Sequence, residues 1–235
     1  MIRVDHISKT FRHIDAVRDV SFEIKQGEIV GLLGPNGSGK TTTLRMSAGF
    51  FSPTSGQVFV NGSDLYASPH ALRSRIGYLP ENVPLYDQLT VEEFLGYVAD
   101  LKQVAPSVKK EQIESLIAQC NLQTVRNRLI EELSKGFRGR IGFAQALVGS
   151  PDILILDEPT NGLDPKQTAE VRALIKTIAQ KKAVLLSSHL LSEVSQLCSR
   201  VLIMNQGTLV ASGTPGKAEE LEKVFLNAIS GEKRK

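Results

Sequence analysis

Short apolar runs separated by turn residues fill the first third of the chain. Ser21-Phe22-Glu23-Ile24 alternates polar and apolar side chains as a half-buried strand does. Gln26-Gly27 reads as a turn, and Glu28 to Leu33 as a buried strand. Gln57 to Val60 and Ile76 to Leu79 are further strands, with Asn61-Gly62 as a hairpin turn because both residues accept positive φ. The period then changes. Thr90 and Glu93 make a capping box, and Phe94, Leu95, Val98 and Leu101 fall on one face of the helix that follows. A second helix starts at Pro106-Ser107 and runs from Val108 to Cys120, and a third runs from Phe137 to Leu147. After Pro151-Asp152 strands return: Ile153 to Leu156, Ala183 to Ser187 and Val201 to Met204, alternating with helices at Pro165 to Gln180 and Leu190 to Cys198.

Strands alternating with helices predict an α/β fold with a mixed, largely parallel sheet. The expected organisation is a single domain over 1–235. Its core is 1–83 plus 150–213, interrupted by an inserted α-helical subdomain over 84–149 and followed by a C-terminal helix and tail over 214–235.

Composition narrows the class. Of the 235 residues, 41% are hydrophobic and 23% charged, as in ordinary globular proteins, so a packed core is expected. No apolar run approaches the roughly 20 residues of a membrane helix. Met1 to His6 places charges where a secretion signal needs an apolar stretch, so a cytoplasmic location is expected. Cys120 and Cys198 lie far apart without zinc-site spacing, and Cys120 continues the apolar face of Ile113, Leu116 and Ile117 as a packing residue. A net charge of +3 is too mild to imply a nucleic-acid partner. The basic tail from Gly231 to Lys235 reads as a solvated end.

The strongest chemical signal is Gly34-Pro35-Asn36-Gly37-Ser38-Gly39-Lys40-Thr41, with Thr42 opening a helix after a buried strand. In this G-x-x-x-x-G-K-[ST] pattern the glycines let backbone N–H groups curl around phosphates, and the helix start adds its positive dipole end. Lys40 then reaches the β- and γ-phosphates, and the Thr41 hydroxyl ligates Mg²⁺. Lys40 is expected to face solvent and to act on phosphate alone. The pattern marks a nucleotide site. In the second signal, the apolar strand Ile153 to Leu156 ends in Asp157-Glu158. Beside a phosphate loop, such a carboxylate pair suits holding Mg²⁺ (Asp157) and polarising an attacking water (Glu158).

With these two motifs in place, three more complete a resemblance to the ATP-binding-cassette (ABC) transporter ATPases. Leu133-Ser134-Lys135-Gly136-Phe137, with Arg140 following, resembles their signature loop; Asn161-Gly162-Leu163-Asp164 resembles their D-loop, and Ser188-His189 their switch histidine. The motifs occur in the family's order across Phe11 to His189, so the resemblance covers essentially the whole chain. It implies a P-loop NTPase core with an N-terminal antiparallel β-subdomain, and hydrolysis of ATP with Mg²⁺. Phe11 lies where the family stacks an aromatic on adenine, although a core phenylalanine on an N-terminal strand is the alternative. His189 is implied to contact the γ-phosphate and position Glu158 and water. Ser134 and Gly136 are implied to serve the ATP of a second, opposite subunit in a head-to-tail dimer, taken to be a homodimer. Ser134 also stands as an N-cap.

Within the family, Tyr78-Leu79-Pro80-Glu81-Asn82 and Leu133-Ser134-Lys135-Gly136 resemble bacterial exporter subunits paired with a separate transmembrane permease. Gliding-motility, copper-processing and drug- or lipid-export systems contain such subunits. The implied place is the cytoplasmic face of the membrane. Lys135 and Phe137 depart from the usual Leu-Ser-Gly-Gly-Gln, and Gly139 from a usual glutamine. Glu81 stands in the slot of a glutamine that touches Mg²⁺ and senses the permease; it either joins the metal or points to solvent. The rival reading is a non-transport ATPase of the same fold in repair or translation. Such proteins carry two cassettes or a long coiled-coil insertion, and this chain has neither. His6, His13 and His70 match no motif and are expected at the surface.

Overall fold

The computed structural model describes residues 1–215, 222–223 and 225–227. Most of the expected C-terminal helix, and the tail from Gly231 to Lys235, lie outside these residues.

Two sheets form the frame. β1 (Ile2–Phe11), β2 (Ile14–Ile24), β4 (Ser55–Val60) and β5 (Ser63–Asp64) make an antiparallel sheet in the order β2-β1-β4-β5. The Asn61-Gly62 turn joins β4 to β5 with φ of 49° and 85°, as a two-residue hairpin requires. The second sheet has six strands in the order β10-β9-β3-β8-β7-β6. These are β3 (Ile29–Leu33), β6 (Ile76–Leu79), β7 (Ile153–Leu156), β8 (Ala183–Ser188), β9 (Arg200–Asn205) and β10 (Thr208–Gly213). All its pairings are parallel except β9 with β10.

The continuous apolar runs of the sequence become the central strands because both of their faces are covered. In β3, Val30 and Leu32 enter one apolar core while Ile29 and Leu33 enter the other. β7 divides in the same way, Ile153 and Ile155 against Leu154 and Leu156. One core joins this sheet to the antiparallel sheet and to α1 (Lys40–Ser47). The other joins it to α3 (Val91–Leu101), α4 (Pro106–Gln119), α5 (Lys135–Leu147), α6 (Pro165–Ala179) and α7 (Leu191–Leu197). The short α2 (Pro69–Arg73) leads into β6.

The helices follow their local signals closely. Thr90 and Glu93 form the capping box, and Val91, Phe94, Leu95 and Val98 are buried behind it. Leu101 departs from expectation. It shares that face by angle, but it is the last helical residue, and it is 65% exposed. The signature helix begins at Lys135 rather than Phe137, with Ser134 in the N-cap position but its side chain making no cap hydrogen bond. Cys120 and Cys198 are free and buried, and burial pushes both thiols up to about 12, so they pack rather than react.

Strand order is what builds the site. In β3-β8-β7-β6 the parallel C-terminal ends lie side by side, and four loops leave from one edge. They are the Gly34–Gly39 loop, Ser188-His189, Asp157-Glu158 and Pro80-Glu81. Open parallel sheets place ligands at this edge.

Candidate nucleotide site

A cavity of about 520 Å³ opens at that edge. Asn36, Gly37, Gly39, Lys40, Thr41 and Thr42 line it from the phosphate loop, facing Glu81, Glu158 and His189 from the neighbouring strand ends. Gly39 is the N-cap of α1 at φ 101°, and a Cβ there would lie 2.5 Å from the Ala16 carbonyl oxygen. Only glycine fits that position. Gly34 is equally confined, since a Cβ would lie 2.4 Å from the Met204 carbonyl oxygen and 2.6 Å from Ser38 Oγ.

Lys40 does not face solvent as expected. It is 7% exposed, and its Nζ donates to the carbonyls of Gly34 at 2.8 Å and Pro35 at 3.2 Å. The early carbonyls of the loop thus gather the ammonium. Burial lowers the lysine's pKa, while the carboxylates of Glu158, Asp157 and Glu81 pull it back up. Its nearest carboxylate oxygen is Glu158 Oε1, at 4.0 Å.

Asp157 is buried at the end of β7 and satisfied by two hydroxyls. Its Oδ1 accepts from Ser187 at 2.7 Å and from Thr41 at 3.2 Å. The same Ser187 Oγ accepts the Glu158 backbone N–H at 2.9 Å, which ties both carboxylate residues to the end of β8. Glu158 adopts φ 50°, an uncommon conformation for a residue with a side chain. It aims the carboxylate into the cavity, where Oε2 lies 2.8 Å from His189 Nδ1. Glu81 Oε1 accepts from Asn161 Nδ2 at 3.0 Å, so it is held in the site by the Asn161–Asp164 turn. Asp164 in that turn caps α6 by accepting from the Gln167 N–H at 2.8 Å.

Gly34, Pro35, Ser38 and Asp157 adjoin this cavity without lining it, and Phe11, Ser134 and Gly136 lie away from it. Phe11 is half exposed and packs edge-on against Phe51, directly across the hairpin from Ile14, which does line the cavity. Ser134 is exposed at the start of α5, and Gly136 is buried beneath the Gln167 amide. The amine of Lys135 rests against Gly162 of the Asn161–Asp164 turn. Arg140 pairs with Glu170 of α6. His6, His13 and His70 are exposed, as expected.

Sequence reasoning missed Ser187, Thr160 and Glu193. Ser187 had a usable signal, being the polar residue that closes the apolar run of β8. Glu193 had a stronger one. Leu190, Glu193, Val194 and Leu197 share a helical face, so an acid sits at a core position.

No described group of three or more His, Cys, Asp or Glu side chains makes a complete metal site. The hard oxygens of Thr41, Asp157 and Glu81 suit Mg²⁺, which is usually held by one or two carboxylates together with substrate phosphates.

Comparison with known proteins identifies the family. The ABC transporter family profile matches residues 17–161. The uncharacterized ABC transporter ATP-binding protein YxlF of Bacillus subtilis (strain 168) is 37% identical over 98% of this chain and 76% of its own. The lipopolysaccharide export system ATP-binding protein LptB of Haemophilus influenzae is 34% identical over 96% of this chain and 97% of its own. Two further curated relatives are longer, and the chain spans 61% and 37% of them. A solved ATP-binding subunit of an ABC transporter superimposes with TM-score 0.83 at 28% identity, covering 96% of this chain and 93% of that one. These matches favour transport over a role in repair or translation. The chain belongs to the ABC transporter family as an ATP-binding subunit, and the general activity of such subunits is ATP hydrolysis coupled to transport.

Proposed function

We propose that the chain powers export through a separate permease at the cytoplasmic face of the membrane, working as a homodimer with two shared ATP sites. The observation that carries the reading is the convergence of Lys40, Thr41, Glu158 and His189 on one cavity, with Asp157 accepting a hydrogen bond from Thr41. Loop N–H groups and Lys40 bind the phosphates. Thr41, Asp157 and Glu81 would hold Mg²⁺, which would supply neutralisation of phosphate charge when bound. Glu158 accepts a hydrogen bond from the attacking water and polarises it, and His189 keeps the carboxylate turned inward. Phe11, braced by Phe51 at the rim, is the aromatic available to a flat base.

Ser134 supports the shared site. Its hydroxyl is exposed and does not cap its own helix, so it is free to meet the γ-phosphate bound to a second copy.

The permease contact is supported by a second cavity of about 440 Å³, lined by Phe50, Arg73, Tyr78, Pro80, Pro84 and Lys102. Pro80 adjoins Glu81, so a partner seated there reaches the nucleotide site through one short loop. No described helix is long and apolar enough to cross a membrane. Coexpressed with its permease, the chain should sediment with membranes. Phe50→Asp should release it, because Phe50 is 66% exposed and lines this groove, while ATP hydrolysis in solution stays unchanged. Undiminished sedimentation of the variant would count against this groove as the docking site.

Glu81→Gln should shift the Mg²⁺ dependence of hydrolysis, since it removes one negative charge from the cavity that holds Lys40 and Thr41. Asn161 Nδ2 can still donate to the amide oxygen, so the loop should keep its place. An identical Mg²⁺ titration would mean that Glu81 takes no part in holding the metal.

A further inference from the structure

Glu193 is 1% exposed on α7, and it does not line the cavity that Glu158 faces. An isolated buried carboxylate is costly, so its partners carry information. Both oxygens are used, and both by hydroxyls. Oε1 accepts from Thr160 Oγ1, and Oε2 accepts from Ser188 Oγ at 2.6 Å.

These two hydroxyls flank the hydrolytic pair, Thr160 in the turn after Glu158 and Ser188 at the end of β8. Thr160 lies two residues beyond Glu158, in a turn closed by the Asn161 N–H donating to the Glu158 carbonyl at 3.0 Å. Ser188 directly precedes His189, and its Oγ also accepts the Leu190 N–H at 3.0 Å. His189 is therefore bracketed on both sides by one serine, and that serine is held by Glu193.

We propose that Glu193 is the positioning residue of the hydrolytic pair: one buried carboxylate clamps the turn after Glu158 to the end of β8 before His189 and sets their 2.8 Å contact. An ionised carboxylate only accepts hydrogen bonds, and it offers two oxygens in a fixed plane. It suits two converging hydroxyls that must be held at constant separation. The Glu158 backbone needs such support, because its positive φ is kept only where its surroundings over-determine it. Ser187 holds this loop from the Asp157 side and Glu193 holds it from the Thr160 side. Glu193 touches no phosphate, so its effect passes through Glu158 and His189. The proposal rests on the assignment of those two residues made above.

Steady-state ATPase kinetics of Glu193→Ala, Glu193→Gln, His189→Ala and the Glu193→Ala/His189→Ala double variant test it. Glu193→Ala should lower kcat by about 10²-fold, the cost of an ångström-scale misplacement of a catalytic group. KM for ATP should change by no more than about twofold, because the phosphate loop is untouched. Glu193→Gln keeps one acceptor and offers a donor that either hydroxyl oxygen can accept, so it should recover activity to within about tenfold of the parent. The discriminating result is coupling. In the His189→Ala background, Glu193→Ala should cost at least about fivefold less than it does alone, since residues acting through one another are not additive.

Full additivity in the double variant, or normal kcat in Glu193→Ala, overturns the proposal. If Glu193→Ala does not fold, Thr160→Val carries the test, being of the same shape without the hydroxyl. It should lower kcat at least about fivefold at unchanged KM, and unchanged kcat in this variant overturns the proposal equally. Failure of the underlying assignment looks different: His189→Ala would itself then retain parental turnover.

Discussion

Replacing Glu158 with glutamine is expected to slow ATP hydrolysis by about 10²–10⁴-fold while leaving ATP binding intact. Glutamine keeps the shape of the side chain but cannot act as a base or strongly polarise water. The backbone that aims it, tied to Ser187 and held at φ 50°, is unchanged. The phosphate-facing groups are separate side chains: Lys40 is secured by Gly34 and Pro35, and Thr41 by Asp157. ATP that binds and is not hydrolysed should remain between the phosphate loop of one copy and Ser134 and Gly136 of the other. Light scattering should then show a monomer without nucleotide and a dimer with MgATP. Adding Ser134→Arg should restore the monomer, because it blocks the signature side and spares the phosphate loop. A Glu158→Gln protein that binds ATP yet stays monomeric at micromolar concentration, with the permease also present, would sink the shared-site reading.

Lys40→Ala is expected to reduce ATPase activity by about 10³-fold or more, since it removes a preorganised cation from the phosphates in a partly enclosed site. The structure changes the account of its effect on stability. A solvent-facing lysine would be thermally silent, whereas Lys40 is buried and holds two loop carbonyls. The substitution leaves those carbonyls without their donor, at a cost of about 1–3 kcal/mol, offset in part by the desolvation of the ammonium no longer required. A small fall in melting temperature with the fold retained is therefore expected. Turnover within about twofold of the parent would remove Lys40 from the reaction.

Local sequence was a good guide wherever an element's partners are close in the chain or need not be known. The Asn61-Gly62 hairpin, the Thr90–Glu93 capping box and the glycine-rich loop before α1 are short-range features. Their geometry follows from a few residues' φ preferences and hydrogen bonds. The runs Ile29–Leu33, Ile153–Leu156 and Ala183–Ser188 were legible for another reason, since a strand covered on both faces must be apolar throughout.

β1 gave no such signal, although it is ten residues long. Its register shifts between Val4 and Ile7, between Ile7 and Lys9 and between Lys9 and Thr10 break the alternation, and His6 sits at φ 49° inside the strand. β2 begins at Ile14, well before the alternation at Ser21, because its first residues are partly exposed.

By itself, then, the sequence determined the α/β class, the glycine-rich loop before α1 and the acidic end of β7, because residue type and spacing at short range suffice for them. Only the tertiary structure decided which strand ends lie side by side. The order β3-β8-β7-β6 joins segments far apart in the chain, and that order brings Ser187 to Asp157 and His189 to Glu158. It also decided that Lys40 turns inward and that Glu81 meets Asn161. A side chain's partners depend on the packing of whole elements, and no local period encodes that. Glu193 shows the boundary most clearly: its helical face could have marked it as buried, but only the meeting of α7 with the turn after β7 and the end of β8 reveals the two hydroxyls that its carboxylate joins.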